Sequence, residues 1–137
     1  MMKIKLIANK VKYNDLALIA GNIAMLHKEG ISMLMIMDLI NELPISKYYK
    51  ESINKAKSYI LEGKSLEECF KSFEEIYPDF FVGMISMGEK SGNLYKVLKG
   101  LEDYCNKIIF IYSTIKNVLS YPFLIILSSV FLLVFIV

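Results

Sequence analysis

The sequence predicts an all-α protein: a compact antiparallel bundle of about six helices followed by one transmembrane helix. Three observations lead there. The 16 lysines (there is no arginine) and 14 acids all lie at or before Lys116, which leaves residues 117–137 uncharged. Before that point apolar residues recur at helical spacing, with no strand-length alternation and no Asn-Gly or Asp-Gly hairpin signal. Glycine, proline and hydroxyl or acidic residues fall at intervals that stop and restart helices. The length of 137 residues accommodates one domain with an appendage.

Composition narrows the function classes. A hydrophobic content of 55% excludes disorder, and two cysteines, Cys69 and Cys105, do not make a disulfide scaffold. A net charge of +2 offers no electrostatic case for nucleic acid as a partner.

Residues 117–137, NVLSYPFLIILSSVFLLVFIV, rise about 1.5 Å each and reach about 31 Å, close to the hydrocarbon thickness of a bilayer. Ser120, Ser128 and Ser129 fit a span, because their hydroxyls can bond back to helix carbonyls. Lys96, Lys99, Lys107 and Lys116 precede the span and no charge follows it, so the lysine asymmetry places the N-terminal domain in the cytoplasm. The opening MMKIKLIANKVKYND has no continuous apolar core of the kind a signal peptide needs. Val137 falls inside the apolar run, which favours a chain that is part of a longer protein over a tail anchor.

The elements follow in order. Residues 1–13 form a basic arm with Lys3, Lys5, Lys10 and Lys12. Anionic headgroups would hold it with about 1 kcal/mol per lysine near the surface, unless it is a solvated terminus. Residues 14–116 form the helical bundle. Asn14 or Asp15 caps a first helix with Leu16, Ile19, Ala20, Ile23, Ala24 and Leu26 on its apolar face, and Gly30 lies just past its end. Ser32 caps a second helix through Leu43, carrying Leu34, Met35, Ile36, Leu39 and Ile40, and Pro44 stops it. Ser46 opens a third, with Tyr49, Ile53, Ala56, Ile60 and Leu61, closed by Gly63. Ser65 with Glu68 is a capping box for a short fourth bearing Leu66, Cys69, Phe70 and Phe73. Pro78 begins a fifth with Phe80, Phe81, Met84, Ile85 and Met87. Gly88 to Asn93 breaks the chain. A last helix from Leu94 carries Val97, Leu98, Leu101, Tyr104, Cys105 and Ile108 and runs on towards the membrane helix, residues 117–137.

Catalytic chemistry is hard to find. His27, the single histidine, sits at a helix C-terminus, where the dipole accounts for it. Cys69 has core spacing. No cofactor-binding pattern and no thiol- or histidine-rich metal spacing occurs. Glu67, Glu68, Glu74, Glu75 and Asp79 are the densest carboxylates and the weak candidates for a hard cation, against the plainer alternative of solvated helix faces. Gly88-Glu89-Lys90-Ser91-Gly92-Asn93-Leu94 lacks the Gly-Lys-Ser/Thr and the preceding strand of a phosphate loop. It reads as a sharp turn in which Gly92 supplies positive φ and Asn93 or Ser91 caps the next helix. Glu89 can accept nearby backbone N–H groups or meet a partner's cation.

Leu26 with Gly30-Ile31, then Gly63-Lys64-Ser65-Leu66, then Gly88-Glu89-Lys90-Ser91-Gly92-Asn93-Leu94, then Tyr121-Pro122 form an ordered set. In this order the chain resembles the cytoplasmic domain of the type II secretion system F family, the inner-membrane platform proteins of type II secretion, type IV pilus and competence pseudopilus machines. The resemblance covers about residue 15 to the end. Members usually carry two such helical domains interleaved with three membrane spans, so this chain resembles the N-terminal part of one. It departs at Gly21-Asn22, where relatives often have a basic residue followed by a polar one. A glycine inside a helix costs about 1 kcal/mol against alanine unless a neighbour packs closely on it.

The resemblance implies a non-enzymatic scaffold in a bacterial inner membrane. Its partners would be a cytoplasmic assembly ATPase, pilin-like subunits, other inner-membrane machine components, membrane lipid and further copies of itself. Pro122, which lacks an N–H, would be a kink point for transmitting motion. Two other assignments fit the residues: an unrelated tail-anchored helical adaptor, and a membrane-tethered metalloenzyme using the acids from Glu67 to Asp79.

Overall fold

The computed structural model describes residues 11–137, so Lys3, Lys5 and Lys10 of the basic arm lie outside the described residues. Among the described residues there are six α-helices and no strand: α1 Tyr13–Lys28, α2 Met33–Asn41, α3 Lys47–Leu61, α4 Leu66–Lys71, α5 Asp79–Ser91 and α6 Leu94–Ile136. Short connections fold each of the first four onto the next: α1 packs on α2, α2 on α3, α3 on α4 and α4 on α5.

Helix α1 buries Leu16, Ile19, Ala20, Ile23 and Ala24 completely, the i, i+3, i+4 stripe that its sequence carries. Its start differs from the expected cap. The helix begins at Tyr13, the cap position is Lys12, and no side chain caps it. Lys12 instead donates its backbone N–H to the Tyr49 hydroxyl at 3.1 Å. Asp15 lies inside the first turn, buried, and its Oδ2 accepts the backbone N–H of Ser46 at 3.0 Å. The carboxylate thus serves the start of α3 rather than that of its own helix.

Ser32 caps α2 as expected, its Oγ accepting from Met35 N–H. The helix stops at Asn41 rather than Leu43, and its buried residues are Ile36, Met37 and Ile40, while Met35 and Leu39 are exposed. Nearly every residue of this segment is apolar, so periodicity cannot choose a face, and nine residues present only one stripe to a neighbour. Pro78 takes the cap position of α5 rather than a place in its first turn, and Phe73 lies beyond the end of α4. In α5 the buried residues are Phe81, Val82, Ile85, Ser86 and Gly88, with Phe80 and Met87 left exposed. In α6 a stripe of Leu94, Leu98, Leu101 and Cys105 is buried and Tyr104 is not, although its ring lies 4.9 Å from Phe80.

The centre of the bundle is aromatic. Phe70 lies 4.7 Å from Tyr77 and 6.1 Å from Phe81, and Tyr77 lies 5.4 Å from Tyr49 and 5.6 Å from Phe81. Two buried phenols need partners there, since an unpaired hydroxyl in an apolar core is costly. Tyr49 donates to the Ile76 carbonyl at 2.8 Å. Ser52 donates to the Tyr49 carbonyl at 2.7 Å, so its single proton is committed and the Tyr77 hydroxyl, also at 2.7 Å, donates to it. Burial raises both phenols above their ordinary range and keeps them neutral. Burial also pushes the thiols of Cys69 and Cys105 up to about 11, leaving them protonated and poor nucleophiles at neutral pH.

Gly21 faces the end of a long side chain from another helix. A Cβ there would lie 2.5 Å from the carboxylate of Glu102 on α6, which Lys99 holds at 2.7 Å. Glycine at this position leaves room for the end of a side chain from α6.

Compact packing ends at Asn106, and Lys107–Val137 forms a second unit. That unit is the rest of α6, which is the one helix among the described residues long and apolar enough to cross a membrane. The helix continues through Pro122, whose missing N–H leaves the Val118 carbonyl without its helical donor.

Candidate functional site

The three glycine turns of the ordered motif set share one construction. At the first, Ile31 N–H donates to Leu26 O at 3.2 Å and Gly30 N–H to His27 O at 3.0 Å. At the second, Lys64 N–H donates to Tyr59 O and Gly63 N–H to Ile60 O, both at 3.0 Å. At the third, Asn93 N–H donates to Gly88 O at 3.1 Å and Gly92 N–H to Glu89 O at 3.4 Å. Each is a Schellman termination, which needs a left-handed residue just past the helix, and the three glycines have φ of 82°, 84° and 70°. Leu26 and Ile31 are the paired ends of the first turn, and Leu94 starts α6 straight after the third.

The expected break from Gly88 to Asn93 is therefore narrower than the sequence implied. Helix α5 continues through Ser91, and Gly92 alone is left-handed. Ser91 does not cap α6. Its hydroxyl turns back to the Gly88 carbonyl at 3.4 Å. Gly88 is helical and buried because α6 lies against it: a Cβ there would stand 3.2 Å from Leu94 Cα, Leu94 Cδ1 and Val97 Cβ. Gly88→Val should consequently cost about 1–3 kcal/mol through overpacking. Gly83→Ala, in the same helix but with open space at its Cβ, should add up to about 1 kcal/mol of stability through helix propensity. Thermal unfolding of the detergent-solubilised chain checks both, and equal effects at the two positions would refute a close α5–α6 approach.

The second and third motifs meet at the start of α4. Ser65 and Glu68 form the expected capping box: Ser65 Oγ accepts the Glu68 N–H at 3.2 Å, and Glu68 Oε2 accepts the Ser65 N–H at 2.8 Å. That leaves the amides of Leu66 and Glu67, and Glu89 faces them. Its Oε1 accepts from Glu67 N–H at 2.8 Å, and the Leu66 N–H also favours its charged form. A carboxylate one turn from the end of α5 thus completes the N-terminus of α4 (the four orphan amides of a helix start need acceptors from somewhere).

The charges here oppose one another. Burial pushes the Glu89 carboxyl above its usual 4.5, the amides of Glu67 and Leu66 pull it down, and the nearby carboxylates of Glu67 and Glu68 push it up again, with a net rise. Lys90 stands 4.0 Å from Glu67. Glu68 goes the other way: the Ser65 backbone N–H and then its hydroxyl hold the Glu68 carboxyl below 4.5.

Among the described residues no three His, Cys, Asp or Glu side chains form a group able to hold a metal ion. The acids considered for a cation are split by the fold. Glu67 and Glu68 belong to the α4 start. Glu74 and Glu75 line an open groove of about 300 Å³ with Tyr48, Glu51, Ser72, Phe73 and Ile76. Asp79 lies in the first turn of α5. Tyr121 and Pro122 belong to the second unit. Asp15 and the Tyr49–Ser52–Tyr77 network hold another polar junction of the bundle, and no local signal named their distant partners: the Asp15–Ser46 and Ser52–Tyr77 bonds join residues 31 and 25 positions apart.

A family model described as Type II secretion system (T2SS), protein F matches residues 19–137, a stretch that includes all three glycine turns and the apolar helix. The Type II secretion system protein F of Aeromonas hydrophila is 27% identical over 117 residues, which cover 85% of this chain and 30% of the relative. That of Vibrio cholerae is 25% identical over 121 residues, 88% of this chain and 30% of the relative. The Type IV pilus assembly protein PilC of Pseudomonas aeruginosa is 23% identical over 120 residues, 88% of this chain and 32% of the relative. The chain thus spans about a third of the length of these curated relatives. With a match over most of its length and the motif turns built as one repeated device, the chain belongs to the type II secretion system protein F family.

Proposed function

We propose that this chain supplies a cytoplasmic helical domain, within residues 14–116, and a transmembrane helix, residues 117–137, to an inner-membrane platform protein. The machine is a type II secretion, type IV pilus or competence pseudopilus apparatus. The platform passes conformational work from a cytoplasmic assembly ATPase to pilin-like subunits and acts without catalysis of its own. The observation that carries this reading is the family match from residue 19 to 137, which runs through the bundle into the apolar helix. Supporting it, the polar residues of the motif set are spent on helix termini: Gly30, Gly63 and Gly92 end helices, while Ser65 and Glu89 begin one. Such a bundle is built to hold its shape. Lys96, Lys99, Lys107 and Lys116, just before the span, support a cytoplasmic bundle.

In-cell crosslinking of the tagged chain, followed by mass spectrometry of the membrane extract, tests the assignment. Recovery of an assembly ATPase or pilin-like proteins is the expected result. A stable complex lacking both would favour the tail-anchored adaptor instead.

A further inference from the structure

The last buried residue of the compact unit is Cys105, and the uncharged run begins at Asn117. Between them lies KIIFIYSTIK, residues 107–116, a helical stretch outside the compact unit. Ile108 and Ile109 are partly covered, whereas Phe110 is 69% exposed, Tyr112 67%, and Ile111 and Ile115 50% each. Ile108, Ile109, Phe110 and Ile111 are consecutive, and at about 100° per residue four consecutive positions go most of the way round a helix. A helix apolar on all sides needs an apolar surrounding, whereas a partner protein would cover one stripe. The surroundings must therefore envelop it, which is what lipid does.

Length supports the same occupant. From Ile108 to Val137 the helix carries one charge, Lys116, and covers about 45 Å, more than the roughly 30 Å of the hydrocarbon core and enough to take in a headgroup layer of a bilayer about 40–45 Å thick. At the tilt of about 20° usual for membrane helices it projects to about 42 Å. The polar groups in the segment suit a headgroup layer. Ser113 donates to the Phe110 carbonyl at 2.9 Å, as Ser120 and Ser128 do to their own i−3 carbonyls at 2.8 Å. Lys107 and Lys116 bracket the stretch, and no acid follows Asp103.

We propose that the bilayer contact of α6 begins at Ile108 rather than at Asn117. Residues 108–116 lie in the headgroup layer on the lysine-bearing side, with Tyr112 at the boundary between headgroups and acyl chains and Lys116 extended to lipid phosphates. Tyrosine suits that boundary because its ring is apolar and its hydroxyl wet, and a lysine near it can bury its stem and keep its ammonium among phosphates. This inference rests on the reading of residues 117–137 as a membrane span, and its test separates the two.

The chain contains no tryptophan, so Phe110→Trp and Phe123→Trp each give a single reporter, at two exposed positions where the fold is not disturbed. Each full-length variant is reconstituted into vesicles of phosphatidylcholine and phosphatidylglycerol whose acyl chains are brominated near the headgroup or near the chain end. Phe110→Trp is expected to be quenched about twofold more by bromines near the headgroup than by bromines near the chain end, as an interfacial aromatic should be. Phe123→Trp should be quenched by lipid and shielded from aqueous acrylamide. A Phe110→Trp reporter open to acrylamide and indifferent to brominated lipid overturns the proposal while leaving the span intact. Shielding from both quenchers also overturns it, because a second copy or another protein then covers the segment. A Phe123→Trp reporter indifferent to brominated lipid overturns the span itself and the proposal with it.

Discussion

Phe70→Ala is expected to destabilise the bundle by about 3–5 kcal/mol, the range for truncating a fully buried phenylalanine without complete collapse of the site. Phe70 has no exposed surface and packs against Tyr77 and Phe81. Those rings are pinned in turn by hydrogen bonds or by helix positions, so they cannot close in on the space left behind. Tyr77 in particular is tied through Ser52 to the backbone of α3. A loss of that size is a large part of the total stability of a domain of this length. The check is denaturant unfolding of the full chain in detergent, followed by tyrosine near-ultraviolet circular dichroism. Far-ultraviolet signal would be a poor probe, because the apolar part of α6 stays helical in a micelle. A loss below about 1 kcal/mol would show that the aromatic centre repacks and is not the keystone the geometry indicates.

Glu89→Ala should cost about 1–3 kcal/mol, because it strips the acceptor from the Glu67 amide and the carboxylate that faces the Leu66 amide. The local signature is sharper than the global one: hydrogen exchange at those two amides should accelerate, with the α1 amides unaffected. Glu89→Gln keeps an acceptor oxygen and removes the charge, which makes pH the discriminating variable. Below the ordinary value of 4.5 the carboxyl is protonated in folded and unfolded chains alike. Above it the unfolded chain ionises first, since the folded value is raised. Wild type should therefore lose stability relative to Glu89→Gln as pH rises from 4.5 through the folded value, and the difference should then stay constant. Glu68 contributes in the opposite sense, its stabilisation present above 4.5 and lost as pH falls, but it is common to both proteins and cancels in the comparison. A wild type that gains on Glu89→Gln with rising pH would show that the amide bonds outweigh burial at this carboxylate.

Much of this protein is determined by local chemistry and so can be read from its sequence. Gly30, Gly63 and Gly92 end helices because the left-handed conformation costs glycine no Cβ clash, and a Schellman turn needs only residues within six positions. Ser65 and Glu68 form their box for the same reason of proximity. The apolar stretch from residue 117 needs only its own composition and length to be long enough for a bilayer. Tertiary structure decided the rest, wherever a residue's partner is distant in the chain. Asp15 has the spacing of a local cap but finds the amide of Ser46, and Glu89, which by sequence could accept nearby amides or meet a partner's cation, takes an amide at the start of α4, 22 residues away. Met35 and Leu39 were indistinguishable from core residues in an apolar helix until its neighbours selected Ile36, Met37 and Ile40. Short-range patterns record which conformation each segment prefers. The acceptor for a particular amide, and the face a helix turns inward, depend on what the fold brings beside it.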